Sequence, residues 1–120
     1  AVGALTAGAA QRVSLQVHGN SRANTVTQHG YEIFDTDSGN IVKVVISGQP
    51  LNKNGTSPRA NRQINALNEG IDPLPYGARV VEQSLPGRAA ALKWERSYSR
   101  QQYKNGNDMR LHLRPRENWD

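Results

Sequence analysis

The order of patterned segments predicts an α+β domain, a small three- to four-stranded sheet packed by two main helices in the order β-β-α-β-α, with an optional closing strand. Three observations predict it. Two β-rich runs, YEIF (31–34) and IVKVVIS (41–47), flank the turn-forming cluster DTDSGN, which reads as a hairpin. A helical period runs between Ser57-Pro58 and Gly70. A second one, RAAALKWERSYSRQQYK, lies between Pro86-Gly87 and Asn105-Gly106, with the strand-like ARVVEQ (78–83) before it.

The second β run is apolar at Ile41, Val42, Val44, Val45 and Ile46, a pattern that suits a central strand buried on both faces. GQPLNKNGT is a loop with a tight turn at Asn54-Gly55. Ser57 is a good N-cap and Pro58 is well placed at the first helical position. Ala60, Ile64 and Leu67 fall at i, i+4 and i+7, a core stripe, and Gly70 stops the helix. Near the end, MRLHLRP alternates. A strand there would put Leu111 and Leu113 on one side and Arg110, His112 and Arg114 on the other, until Pro115 ends it. Residues 1–28, rich in Ala, Gly, Ser, Thr and Asn, read as a linker or N-terminal arm in which RVSLQV (12–17) would form a short edge strand. The folded domain is expected over 29–120. The opening AVGALTAGAA has no basic region before it and does not read as a signal peptide, and the missing initiator Met implies a piece of a longer chain.

At 120 residues the chain allows one domain. Hydrophobic residues make up 36%, and mean hydropathy is -0.72, so the core is small. No run approaches the ~18 apolar residues of a membrane helix. There is no cysteine, which removes disulfides, thiolate zinc sites and Cys nucleophiles together. His18, His29 and His112 have no short ligand spacing, which argues against a structural zinc. The net charge is +5 and the pI about 10.0. Residues 1–78 hold six basic and five acidic side chains; residues 79–120 hold nine and five. A basic C-terminal third favours a polyanionic partner, and a merely Arg-rich solvated surface is the alternative.

Four features are candidates for chemistry. Tyr31 either packs or presents its phenol to a cleft, where it would orient a water or stabilise charge. Arg59 and Arg62 lie in the first turns of the first helix. Arg59 shares a face with Gln63 that is distinct from the apolar stripe, and a guanidinium there would hold a phosphate near a helix N-terminus. Arg88 and Glu95 lie two turns apart on the second helix, beside Ala91 and Leu92. A carboxylate bordering an apolar face needs a partner: an arginine of the same chain, or Mg²⁺, which binds through one or two carboxylates plus phosphate oxygens. His112, between Arg110 and Arg114, is either an exposed tail residue or an acid-base group for metal-free RNA cleavage, in which the 2′-OH attacks.

Two resemblances follow. The order hairpin, helix, strand, helix resembles the GIY-YIG nuclease fold. Gly30-Tyr31-Glu32-Ile33 stands at its first motif, Lys43-Val44-Val45-Ile46-Ser47 at its second, Arg59 at its helical arginine and Glu95 at its late glutamate. The likeness spans residues 30–95. It implies that Tyr31 and Arg59 surround an attacking water and that Glu95 holds a divalent metal. The second motif's tyrosine and glycine are Val44 and Val45 here, so either another group supplies that hydroxyl or the chemistry differs. More broadly, residues 31–120, with GNIVKVVISGQPLNKNGTSPRANRQIN, PGRAAALKWE and LHLRPRENW, resemble the C-terminal toxin modules of bacterial polymorphic toxins, of the contact-dependent inhibition and Rhs types. That likeness implies a nuclease domain, carried by a larger secreted or surface-delivered protein. It would act in the target-cell cytoplasm and be neutralised by a cognate immunity protein, an acidic one for a basic toxin.

The expectation is therefore an endonuclease toxin with RNA, such as tRNA, ahead of DNA. Tyr31, Arg59, Glu95 and His112 are its candidate catalytic groups, Glu95 its ligand for Mg²⁺, and Lys43, Arg62, Arg88, Arg110 and Arg114 its contacts to nucleic acid. The rival is a non-catalytic module that binds nucleic acid or protein through a basic face with Trp94, Tyr98 and Tyr103.

Overall fold

Ser57 caps the first helix as its neighbours predict: its hydroxyl accepts the Ala60 N–H at 3.2 Å, and Pro58 follows at a position where its missing N–H costs nothing. The computed structural model describes residues 25–71, 73–113 and 119, and within them the elements are β1 (Gln28–Asp35), β2 (Ile41–Ser47), α1 (Pro58–Asn68), β3 (Tyr76–Leu85) and α2 (Arg88–Lys104). The class and order are those predicted, and the bounds of α2 coincide with the helical segment read from the sequence. β1 begins earlier than its apolar run, at Gln28, so His29 lies in the strand rather than before it. The expected edge strand at 12–17 lies outside the described residues, as do Arg114 and Pro115.

The sheet is antiparallel, in the order β2-β1-β3. The centre is thus β1, not β2 as the apolar run implied. β2 is nonetheless buried because the chain after α2 covers its outer edge. The Ile41 N–H donates to Asn107 Oδ1 (2.7 Å), Met109 N–H to the Ile41 carbonyl (3.2 Å) and Leu111 N–H to the Val42 carbonyl (2.9 Å). Edge groups that would otherwise recruit another strand are satisfied internally.

That covering segment is a turn and not the expected closing strand. Met109 takes a left-handed backbone (φ 53°), and His112 N–H bonds back to the Met109 carbonyl at 3.0 Å. The predicted alternation is overturned with it. Leu113 is 88% exposed, whereas His112 is buried, and its Nδ1 accepts the Val44 N–H at 3.4 Å.

Side chains alternate across a strand, so β1 serves two cores. Tyr31 and Ile33 face α1, with Val45, Ala60, Ile64 and Leu67 packed around them. Gly30, Glu32 and Phe34 face α2, where Trp94, Tyr98 and Tyr103 meet Ile41, Val44, Met109 and Trp119. Gly30 is bare because any Cβ there would overlap the Trp94 ring. The two helices therefore lie on opposite faces of one small sheet.

Candidate functional site

The α1 face carries polar side chains at one end, where β1 begins and α1 begins. His29 Nε2 lies 2.8 Å from Ser57 Oγ. That hydroxyl already accepts from Ala60, so its proton is available to donate to the imidazole. Burial lowers the His29 pKa below its ordinary value, against a smaller opposing effect from a hydrogen bond to the Gln49 backbone. The ring is therefore neutral at pH 7, with Nε2 accepting from Ser57.

Tyr31 follows on the same face, its ring centroid 6.0 Å from that of His29. It is fully buried, and its hydroxyl donates to Gln63 Oε1. Burial pushes the phenol well above the usual tyrosine range. The Arg59 guanidinium opposes this through its charge and a hydrogen bond, and the Arg62 charge opposes it more weakly. Tyr31 is thus a neutral donor at any physiological pH. Arg59 and Gln63 share a face of α1, as their spacing predicted, but both reach Tyr31, whose ring packs in the core with Ala60, Ile64 and Leu67. Arg62, also exposed, donates from Nη2 to Gln49 Oε1 at 2.8 Å. Two exposed guanidinium groups, the N-terminal turn of α1, a neutral phenol and a neutral imidazole thus occupy one corner. The corner is cationic and lies at a helix N-terminus, the combination that suits an anion.

The remaining sequence candidates lie elsewhere. Glu95 is 3% exposed on α2, the helix covering the face opposite to Arg59, so the two do not share a basin. Among the described residues no group of three His, Asp or Glu side chains is placed to hold a metal ion. The donor set therefore does not fit a Mg²⁺ bridging Glu95 and a phosphate held by Arg59, because a buried carboxylate on the far side of the sheet cannot share such an ion. His112 stacks on Trp119 with ring centroids 5.6 Å apart, also away from Tyr31. Arg110 is held by Asp108 (3.1 Å), Asp35 (3.8 Å) and the Tyr76 hydroxyl (3.1 Å). Arg88 is buried at the start of α2, and Lys43 is half-buried on β2, opposite Ile33.

The aromatics that a binding face would use are largely turned inward. Trp94 stacks on Tyr98 and Tyr103 on Trp119, each pair with centroids 4.9 Å apart. The residue that sequence reasoning missed is His29. Its signal was the spacing His29, Tyr31, Ile33, which puts all three on one strand face once β1 starts at Gln28.

No helix among the described residues is long and apolar enough to cross a membrane. Comparison with curated proteins and with solved structures finds no significant match. The model of a toxin-domain family, URI fold toxin 2, matches residues 21–105, a span that takes in the whole sheet and both helices. With well over half its length so matched, the chain belongs to the URI fold toxin 2 family.

Proposed function

We propose that this toxin domain is the C-terminal module of a bacterial polymorphic toxin and that it cleaves phosphodiester bonds in RNA, tRNA ahead of DNA, at the corner formed by His29, Tyr31, Ser57, Arg59 and Arg62. The observation that carries the reading is that Arg59 and a neutral His29 both neighbour Tyr31. Arg59 and the first turn of α1 hold the scissile phosphate, and Arg62 holds its neighbour along the strand. The Ser57 hydroxyl, hydrogen-bonded to His29 Nε2, takes the proton of the 2′-OH as it passes its own to the imidazole, and the 2′-oxygen attacks the adjacent phosphorus. The bond to the 5′-oxygen breaks, that oxygen takes a proton from water, and a 2′,3′-cyclic phosphate remains. Arg59 offsets the charge that builds on the phosphoryl oxygens, and the Tyr31 phenol positions Gln63 beneath it. DNA lacks the attacking hydroxyl, which is why RNA is favoured.

Membership of a toxin family supports delivery of the domain as part of a larger secreted or surface protein, action in the target-cell cytoplasm, and a cognate immunity protein. A toxin of net charge +5 favours an acidic inhibitor, which would be steered to the same cationic corner.

Incubating the purified domain with total tRNA and with plasmid DNA, each in Mg²⁺ and in EDTA, tests the reading. Cleaved tRNA with cyclic phosphate ends in both buffers, and intact plasmid, is the expected result. Binding of tRNA without cleavage under every condition makes the domain a binding module. Cleavage abolished by EDTA returns the chemistry to a metal ion and removes His29 from its role.

A further inference from the structure

The two outer edges of the sheet end differently. On β2 the backbone groups that point away from β1 belong to Ile41, Val42 and Val44, and the chain after α2 answers them. On β3 the Tyr76 N–H donates to Asn68 Oδ1 at 2.9 Å, and the Tyr76 carbonyl accepts from Asn68 Nδ2 at 2.8 Å. Both Tyr76 groups therefore point away from β1. Backbone groups change sides at every residue of a strand, and β3 pairs with β1 without a shift from Tyr76 to Val80. The N–H and carbonyl groups of Ala78 and Val80 thus point outward too, while those of Gly77 and Arg79 serve the ladder with β1. β3 has no strand on that side, and among the described residues nothing bonds these outward groups.

Ala78 and Val80 also line a cleft of about 240 Å³, whose far wall is the first turn of α1 and the residues before it, Thr56, Ser57, Ala60 and Asn61 among them. An open edge of this kind is a template for a strand of another chain. Bulges beyond Val80, on either side of Gly30, limit it to a short one. A second copy of the domain does not fit. The register that sets Ala78 against Val80 of the copy also sets Arg79 directly against Arg79, and like charges so placed repel. Arg79, 56% exposed, is the one ionisable side chain lining the cleft, and the first turn of α1 adds the positive end of a helix with no acidic residue of its own. The occupant these charges suit is a strand that carries a carboxylate.

We propose that the immunity protein of this toxin docks by adding a strand, antiparallel, to the outer edge of β3, with an Asp or Glu facing Arg79. This rests on the toxin reading of the domain and not on its cleavage chemistry. Because Ser57 stands on the same cleft, the docked strand lies against the proposed cleavage corner.

Amide hydrogen exchange followed by NMR tests the edge residue by residue. In the free domain Gly77 and Arg79 should exchange slowly, and Ala78 and Val80 quickly. The probe is the protein, encoded in the same genome, whose co-expression restores growth to cells expressing this domain. Its binding is expected to slow exchange at Ala78 and Val80 by at least about tenfold. Ala78→Pro removes one outward N–H and leaves the ladder with β1 intact, so it should weaken the complex at least about tenfold with tRNA cleavage unchanged. Should that variant fail to fold, exchange in the wild-type complex still decides. Slow exchange at Ala78 and Val80 in the free domain overturns the proposal. So does a complex that leaves them unprotected, or full affinity in folded Ala78→Pro. Those outcomes leave the nuclease reading standing. Protection of the pair in a domain that leaves tRNA intact has the opposite meaning: the docking edge stands and the cleavage chemistry falls. If no protein restores growth, the proposal falls together with the immunity partner.

Discussion

The two faces of β1 are made from alternate residues of one strand, yet their polar groups are handled in opposite ways. On the α2 face Glu32 is buried, and it is answered from within the fold: Tyr98 donates to Oε1 at 2.6 Å and Arg79 pairs with Oε2. Arg79 in turn lies over the Phe34 ring, 4.7 Å from its centroid. On the α1 face the buried imidazole and phenol connect to exposed guanidinium groups and to a hollow. A polar group closed off by its own chain contributes to stability. Glu32 has both oxygens bonded in this way, although its partner Arg79 is itself 56% exposed; the α1 face differs in having two exposed guanidinium groups and a hollow beside its buried ring nitrogens and phenol. Mutations on the two faces should therefore separate activity from stability.

The largest effect belongs to the α1 face. Arg59→Ala and His29→Gln are each expected to lower the rate of tRNA cleavage by about 10²–10⁴-fold, the range for losing a charge-stabilising or acid-base group. Arg59 is exposed, so its removal should leave the unfolding midpoint nearly unchanged. Full activity in both soluble variants would merge the two faces into one structural role.

The difference between the faces was only partly legible in the chain. Ala60, Ile64 and Leu67 declared the core side of α1, because a helix carries its own geometry in its period, whereas nothing in the spacing said that Arg59 and Gln63 would reach the buried Tyr31. A strand does not say which neighbour covers which face. Glu95 borders the apolar stripe of α2 as read, but the side of the sheet that α2 takes is set by where Gly30 admits Trp94. His112 shows a different failure. Its alternation with leucines held in sequence, and one left-handed residue, Met109, turned the segment so that the histidine went inward.

The next effect tests packing on the α2 face. Gly30→Ala forces a methyl into the Trp94 ring and should destabilise the fold by about 1–3 kcal/mol, seen as a lower urea midpoint at unchanged slope. Tyr98→Phe should cost about 1.5–3 kcal/mol, the loss of one hydrogen bond to a buried carboxylate, with cleavage unaffected. Arg79→Met should cost more, because it leaves a carboxylate that is 3% exposed without its counter-charge. A loss of cleavage in folded Tyr98→Phe would mean that the closed network reaches the site after all.

The smallest effect distinguishes the faces by pH. The folded-state pKa of His29 is below that of the unfolded chain, about 6.5. As pH falls below that value the unfolded chain takes up the proton first, so the folded state loses stability until His29 itself titrates. Its protonation also withdraws the base, so cleavage should fall over a lower pH window than an ordinary histidine would give. In His29→Gln this part of the stability slope between pH 6.5 and the folded-state pKa should vanish. The Tyr98→Phe variant should keep it, because Tyr98 bonds Glu32 on the far face and its own proton stays bound throughout that range. An identical slope in wild type and His29→Gln would show that the imidazole titrates as freely in the fold as outside it. The neutral base on which the α1 face depends would then be absent.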